Sequence, residues 1–229
     1  MGFKLTLILV DSALEPIPPE LRSNPRIIRL ARRLGRDPNY MPLDKALHYR
    51  LMRGLRDFER RGRPDIVHKF LLDSLNSILA LKGMLKVYIH TIGGLVIDVA
   101  EGERPPQNYL NFLGLMEQLF KHGRVPPEGR WLMRILNIDL RGLLKSLNQS
   151  PIILLERGGV EVKVKQIAEL LVSKGGGVVL IGGVARGVVG REVRDLLDGV
   201  YTLAGGYRLT TSHVTNALIV SIEESLNII

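Results

Sequence analysis

The sequence predicts an α/β protein: a mostly parallel sheet with helices on both faces. Three observations carry that expectation. Residues 3–10, 152–155 and 178–181 are short, nearly unbroken apolar runs, the texture of strands buried on both sides. In the second half of the chain such runs alternate with segments of helical spacing, which implies parallel strands joined by crossovers. Two apolar runs also end in glycine pairs, Gly182-Gly183 and Gly205-Gly206, where a ligand can approach the main chain closely.

Taken in order, residues 3–10 form the first strand, and Asp11-Ser12 leads into a loop with Pro16, Pro18 and Pro19. A helix over 25–34 is expected to stop at Gly35. Another is expected over roughly 43–58, with Leu47, Leu51 and Leu55 on one face. Pro64 suits a first helical position, and Asp65 just behind it favours the helix dipole. Lys69, Asp73, Asn76 and Ser77 share one side of that helix and read as a solvated face. Leu85, Val87 and Ile89 alternate with polar residues, and Gly93-Gly94 before the run at 95–99 predicts a hairpin with a two-residue turn. The stretch of roughly 85–105 reads as an insertion, a β-hairpin and a basic loop, and not as a separate domain. Helices are expected near 109–120 and over 131–147. From residue 151 the order is strand 152–155, helix 164–173, strand 178–181, helix 192–197, strand 200–204 and helix 213–226. The last carries Val214, Leu218, Ile222 and Leu226 four apart.

Composition bounds the function. Hydrophobic residues are 45% of the 229, enough for a packed core, and no apolar run approaches a bilayer span. The first eleven residues read as a strand and not as a signal peptide. With no cysteine there are no disulfides, zinc thiolates or cysteine nucleophiles, which fits a cytoplasmic protein. The net charge of +9 points to a polyanionic partner, most often nucleic acid. Arg22, Arg26, Arg29, Arg32, Arg33 and Arg36, then Arg50, Arg53, Arg56, Arg60, Arg61 and Arg63, recur near helical spacing, as a phosphate-tracking surface would. Aromatic content of 5% gives no base-stacking platform.

Gly182 to Gly187 satisfies the first half of a phosphate-binding loop, but Val188-Val189 stand where that motif needs lysine and a hydroxyl. A dinucleotide fingerprint is absent too, which weakens a Rossmann oxidoreductase. His68, His90 and His213 have no metal-ligand spacing and read as surface or capping residues; no metal is expected. Arg104 lies in a loop where phosphate contact and solvation are equally good readings.

Three blocks in this order, Arg63-Pro64-Asp65-Ile66-Val67-His68, Asp73-Ser74-Leu75-Asn76 and Val87-Tyr88-Ile89-His90-Thr91, resemble one family. It is the Nep-type pseudouridine N1-methyltransferases of small-subunit ribosomal RNA, of the SPOUT class. The likeness runs essentially the length of the chain, takes in Gly182, Gly187 and residues 203–218, and is to the archaeal form. It implies one SPOUT methyltransferase domain over 1–229, a C-terminal trefoil knot, a homodimer through that region, and S-adenosylmethionine held bent by the knot loops. Carried over by position, Gly182, Gly187, Leu203, Ala204, Gly205, Gly206, Tyr207, Arg208 and Leu209 would hold the cofactor. Arg61 and Arg63 would contact RNA, with Asp65 fixing Arg63 by a charge-assisted pair. Arg104 matches the first of three arginines that relatives use on RNA, while Gln107 and Asn111 stand at the other two positions. Asp73 is the candidate general base for the N1 proton and Asp65 the second candidate. The implied partners are small-subunit ribosomal RNA, a second copy of the chain and a small-subunit ribosomal protein. The rival reading is an RNA-binding ribosome assembly factor without catalysis.

Overall fold

The computed structural model describes residues 2–183, 191–203, 205 and 207–229. Strand β1 (Lys4–Ser12) lies inside an eight-stranded sheet, and the chain then builds a small helical unit from α1 (Pro19–Arg22), α2 (Pro25–Leu34) and α3 (Lys45–Met52). Next come α4 (Pro64–Leu75), α5 (Ile78–Leu81), β2 (Leu85–Thr91) and β3 (Val96–Val99). After α6 (Tyr109–His122), strands β4 (Arg124–Val125) and β5 (Met133–Leu136) precede α7 (Leu140–Leu147). The chain ends with β6 (Ile152–Glu161), α8 (Val164–Ser173), β7 (Gly176–Gly182), β8 (Gly199–Thr202) and α9 (Thr211–Ser225).

The sheet order is β4-β5-β3-β2-β1-β7-β6-β8. The strands β2, β1, β7, β6 and β8 run parallel, and β3, β5 and β4 extend one edge antiparallel. Alternate residues of β1 serve opposite faces. Leu5, Leu7 and Leu9 join the larger core, with Val67, Phe70 and Leu71 of α4 and Leu218 and Ile222 of α9. Ile8 and Val10 join the smaller one with Leu140, Leu143 and Leu144 of α7. That two-sided burial is why these strands read as continuous apolar runs.

Several element assignments shift. Residues 131–147 are not one helix: Met133–Leu136 is β5, paired with β3 through Ile97 and Ile135, and α7 starts where the Asp139 carboxylate accepts the Gly142 amide hydrogen. Partner pairing outweighs the helical spacing there, and the Asp139 cap was the legible signal. The helix expected over 43–58 spans only Lys45–Met52; turns follow it, then Asp57 with a left-handed backbone (φ 53°) and a 3-10 turn at Phe58–Arg60. Residues 191–196 form a 3-10 helix and not an α-helix, and β6 runs on to Glu161 by pairing with Tyr201 and Thr202. The turn after β2 is one residue longer than expected: Gly94 donates to the Thr91 carbonyl and Thr91 to that of Leu95. The first strand of that hairpin is also a member of the parallel sheet, through its pairing with β1.

The helical unit has its own core of Ile17, Ile27, Ala31, Met41, Leu43, Met52 and Leu55. Buried His48 accepts the Asp44 amide hydrogen on Nδ1 (2.9 Å), and burial holds its pKa below the ordinary 6.5. The unfolded ring therefore takes up a proton at a higher pH than the folded one. Stability is full above about pH 6.5 and declines with acid down to the lower folded value. His48→Gln is expected to flatten that part of the curve in denaturant titrations between about pH 7.5 and 5. An unchanged slope would show that another group carries it.

Candidate active site at the carboxyl rim of the sheet

In open α/β sheets the ligand crevice lies beyond the carboxyl ends of the parallel strands. Here β1, β2 and β7 end together. The Gly183 amide donates to the Val10 carbonyl (2.8 Å), the Ile92 amide to Ser12 (2.9 Å) and the Arg63 amide to Ala13 (2.9 Å). Two helices start at the same rim. Arg63 precedes α4, while Thr210 caps α9 and Thr211 Oγ1 donates to the Gly182 carbonyl (2.8 Å). Helix starts present unpaired amide hydrogens and positive dipole ends, a setting for anionic groups.

Gly183 answers a packing demand. A Cβ there would lie 2.7 Å from Ser12 Cα, 2.8 Å from Ser12 Cβ and 3.0 Å from Leu9 Cγ. Gly183→Ala is expected to cost about 1–3 kcal/mol, because backbone cannot swing aside as a side chain can. For a chain of this size that corresponds to about 2–4 °C in Tm per kcal/mol. A melt that matches the unsubstituted protein would mean β1 yields without cost. Beside it, Ser12 Oγ is buried with no hydrogen-bond partner among the described residues, a polar atom available at the rim.

The resemblance-derived cofactor residues fall on this side unevenly. Gly182 ends β7; Leu203 is half-buried and packs against the larger core. Gly205 has φ 52° and lies under the Glu161 carboxylate, 2.6 Å from where a Cβ would be, a place for glycine on both counts. Tyr207 and Arg208 are exposed and Leu209 half-buried. Gly187, Ala204 and Gly206 lie outside the described residues. With an unpartnered hydroxyl, a glycine strand end and an apolar Leu203, the residues present suit a ligand with both polar and apolar parts.

The arginines of the rim are each held. Arg63 grips Asp65 through two parallel bonds, Nε–Oδ1 at 2.8 Å and Nη2–Oδ2 at 2.7 Å, with a third of its side chain open to solvent. The hydrogen bond from Arg63 to Asp65, more than the attendant charge, raises the guanidinium pKa. Arg61 is turned inward onto Glu15, Nε–Oε1 at 2.9 Å and Nη2–Oε2 at 2.5 Å, and bridges the proline loop to the residues before α4. Behind them, His68 Nε2 meets the Pro106 carbonyl (2.7 Å) and the ring stacks on Phe112 at 4.5 Å. The Tyr109 hydroxyl donates to Asp44 (2.7 Å); burial, then that bond, push its pKa far up and keep it a donor. The starts of α3, α4 and α6 are thereby tied together. Gln107 and Asn111 are exposed beside them, and Arg104 is exposed further along the same loop.

Asp73 stands apart. At about 1.5 Å per residue it lies roughly 12 Å along α4 from Asp65, on the way to the opposite rim. It is half-buried, not solvated, and its Oδ2 has no partner among the described residues. Ser77 caps α5 by accepting the Ala80 amide hydrogen, and Asn76 bonds back to Leu72, so this motif shapes the end of α4.

His68 and His90 are both buried, against the expectation of surface positions. His90 lies on the face of Lys86 and Tyr88, opposite Val87 and Ile89, and is buried there at the strand end, where Nδ1 accepts the Asp11 amide hydrogen (3.3 Å). Asp11, His90 and Glu192 bring three ligand-type atoms within 4.8 Å of one another. Arg60 is also 3.9 Å from the Asp11 carboxylate, and His90 Nε2 is 3.9 Å from the Glu192 carboxylate. Spacing alone could not reveal this cluster, because Glu192 arrives from a hundred residues away.

A rim of this make-up is that of an α/β protein whose strand ends and helix starts suit a ligand with anionic or polar groups. The chain belongs to the EMG1/NEP1 methyltransferase family, whose model matches residues 7–223. It is 39% identical over 226 residues to the ribosomal RNA small subunit methyltransferase Nep1 of Staphylothermus marinus, covering 98% of this chain and 97% of the relative. The protein of the same name from Pyrobaculum arsenaticum is 44% identical over 183 residues, 80% of this chain and 81% of that one. Among solved structures, Archaeoglobus fulgidus Nep1 bound to S-adenosylhomocysteine matches with a TM-score of 0.85 and 29% identity, over 99% of this chain and 100% of that chain.

Proposed function

We propose that this chain transfers a methyl group from S-adenosylmethionine to N1 of a pseudouridine in small-subunit ribosomal RNA, in the course of ribosome biogenesis. The observation that carries the reading is the Arg63–Asp65 fork on a helix start beside the Gly182–Gly183 strand end, in a chain of a methyltransferase family. We read residues 1–229 as one cytoplasmic methyltransferase unit, with the hairpin and basic loop of roughly 85–105 serving RNA contact. Its C-terminal part is read as a trefoil knot and as the contact of a homodimer. The exposed apolar surface of Tyr207 and Val220 supports that last point. Among the described residues no helix is long and apolar enough to cross a membrane.

S-adenosylmethionine supplies a sulfonium-activated methyl group; the chain's own residues bind, align and shield. Gly182, Leu203, Gly205, Tyr207, Arg208 and Leu209 hold the donor, and Gly187, Ala204 and Gly206 are assigned with them. Arg63, Arg104, Gln107 and Asn111 face the RNA. A target base must leave the stack to reach the rim, since duplex RNA hides its edges. Asp65 has both oxygens on Arg63 and acts as its positioning residue. Arg61, committed to Glu15, supports the proline loop and meets RNA only at its edge.

Alignment of two bound reactants supplies most of the rate, for which roughly 7–11 kcal/mol is available. Asp73 is too far down α4 for direct contact with the base. Asp73→Asn is expected to keep kcat within about threefold, against a loss of roughly 10²–10⁴ for a true general base. A loss of that size, with the acid limb of the pH–rate profile gone, would return Asp73 to the mechanism. The function is tested by mass spectrometry of stem-loop RNA after incubation with the protein and S-adenosylmethionine. One added methyl on pseudouridine, and none on the uridine control, is the expected result. No methyl on either, with RNA still bound, would favour an assembly factor without catalysis.

A further inference from the structure

The excess charge of this protein is concentrated. Residues 22–56 hold nine arginines and one lysine against two aspartates, a local balance of +8 in a chain of net +9. Both aspartates are used internally: Asp44 caps α3 and takes the Tyr109 hydroxyl, and Asp37 binds Asn39. Arg22 and Arg36 turn inward to the Ile17 and Leu110 carbonyls. The exposed remainder includes Arg26 and Arg29 on α2 and Arg50 and Arg53 on or just after α3.

Between these helices runs a groove of about 450 Å³, within the range of small-ligand sites. Arg26 and Arg50 stand along it, Ile27, Leu30 and Leu47 give it an apolar floor, and no carboxylate lines it. Tyr49 is 43% exposed, with the Arg53 guanidinium 5.3 Å from its ring centre. His48 also lines the groove. Its Nδ1 is taken by the Asp44 amide, so the neutral ring carries hydrogen on Nε2, which has no acceptor among the described residues. The helix that lines the groove starts beside the rim, because the first residue of α3 bonds through its amide to the Gly62 carbonyl, next to Arg63. Eight helical residues then carry it roughly 12 Å away.

We infer that the α2–α3 groove binds a single-stranded RNA segment flanking the methylated nucleotide. A base lies against Tyr49, Arg53 and the Leu47 floor, and phosphates meet Arg26 and Arg50. The inference rests on the RNA methyltransferase reading. Guanidinium planes beside an exposed ring are what splayed-out bases stack on, and a groove wall without carboxylates suits phosphates more than a second copy of this basic chain. Low aromatic content hid the surface, since one tyrosine and a neighbouring arginine suffice.

The test compares a minimal pseudouridine stem-loop with the same stem-loop extended by single-stranded nucleotides on both sides. The unsubstituted protein is expected to bind the extended RNA at least tenfold more tightly. An Arg26→Ala/Arg50→Ala double variant and Tyr49→Ala should each erase most of that advantage. On the minimal stem-loop they should leave kcat and KM unchanged, with unaltered melting curves. The double variant should lower the salt slope by about 1.4, two single-strand phosphates at roughly 0.7 each. No advantage for the extended RNA, an advantage untouched by the substitutions, or conversion of a dimer to monomers by them would each overturn the inference. Failure of the intact protein to methylate either RNA, with the tenfold binding advantage intact, would remove the methyltransferase reading and leave the groove in place.

Discussion

Arg63→Ala is expected to lower kcat/KM for the target RNA by roughly tenfold to a hundredfold, with the dissociation constant of S-adenosylhomocysteine unchanged. The size follows from losing hydrogen bonds to a charged partner, about 1.5–3 kcal/mol, at about 1.4 kcal/mol per decade. The side chain is presented by structure on three sides: its own amide is bonded to Ala13, Pro64 opens the helix behind it, and Asp65 holds Nε and Nη2 in parallel. Arg63→Lys should not restore activity, because an ammonium cannot reproduce a two-pronged fork. Single-turnover methylation with isothermal titration of the cofactor product separates the two quantities. Equal loss of RNA methylation and cofactor affinity would place Arg63 in the cofactor site instead.

Asp65→Ala should give a loss of similar size by a different route. The carboxylate is exposed and makes no contact among the described residues beyond those with Arg63 that would put it on a substrate. Its removal leaves the guanidinium charged but unaimed, so RNA affinity should fall less than the rate: kcat drops while KM moves little. Stability should change by well under 1 kcal/mol, as for other half-exposed ion pairs. A large fall in Tm with unchanged kcat would make the pair a structural clasp and nothing more. The Asp65→Asn variant, which keeps the shape and weakens the charge-assisted bond, should fall between the two.

The fold class was legible because burial on both faces leaves a plain mark. The runs that became β1, β6 and β7 are apolar at successive positions, and no surface strand can be. The helix starts at Pro25, Pro64 and Asn108 were written in proline and capping residues, whose effect is local. The Arg63–Asp65 pair is two residues apart and lies on a helix start, so neighbours in sequence are neighbours in space. Membership of the methyltransferase family was readable from the three motif blocks for a related reason: each is short enough to survive as a pattern.

Tertiary structure alone decided the rest. Whether residues 133–136 would be helix or strand depended on Val96–Val99 being available as a partner forty residues earlier. Asp73 looked catalytic in a motif and solvated in a helical wheel; the direction of α4, running away from the rim, set its position. His90, Asp11 and Glu192 come from three separate elements and meet only because β1 and β2 end side by side. The arginines of residues 22–63 were equivalent as a pattern of charge. Folding divided them: Arg22, Arg36, Arg61 and Arg63 bond to groups within the chain, while Arg26 and Arg50 face a groove. Sequence by itself determined which local shapes were affordable and how much charge the chain would carry. Where that charge points is a property of long-range packing, because it depends on contacts between segments that no local pattern records.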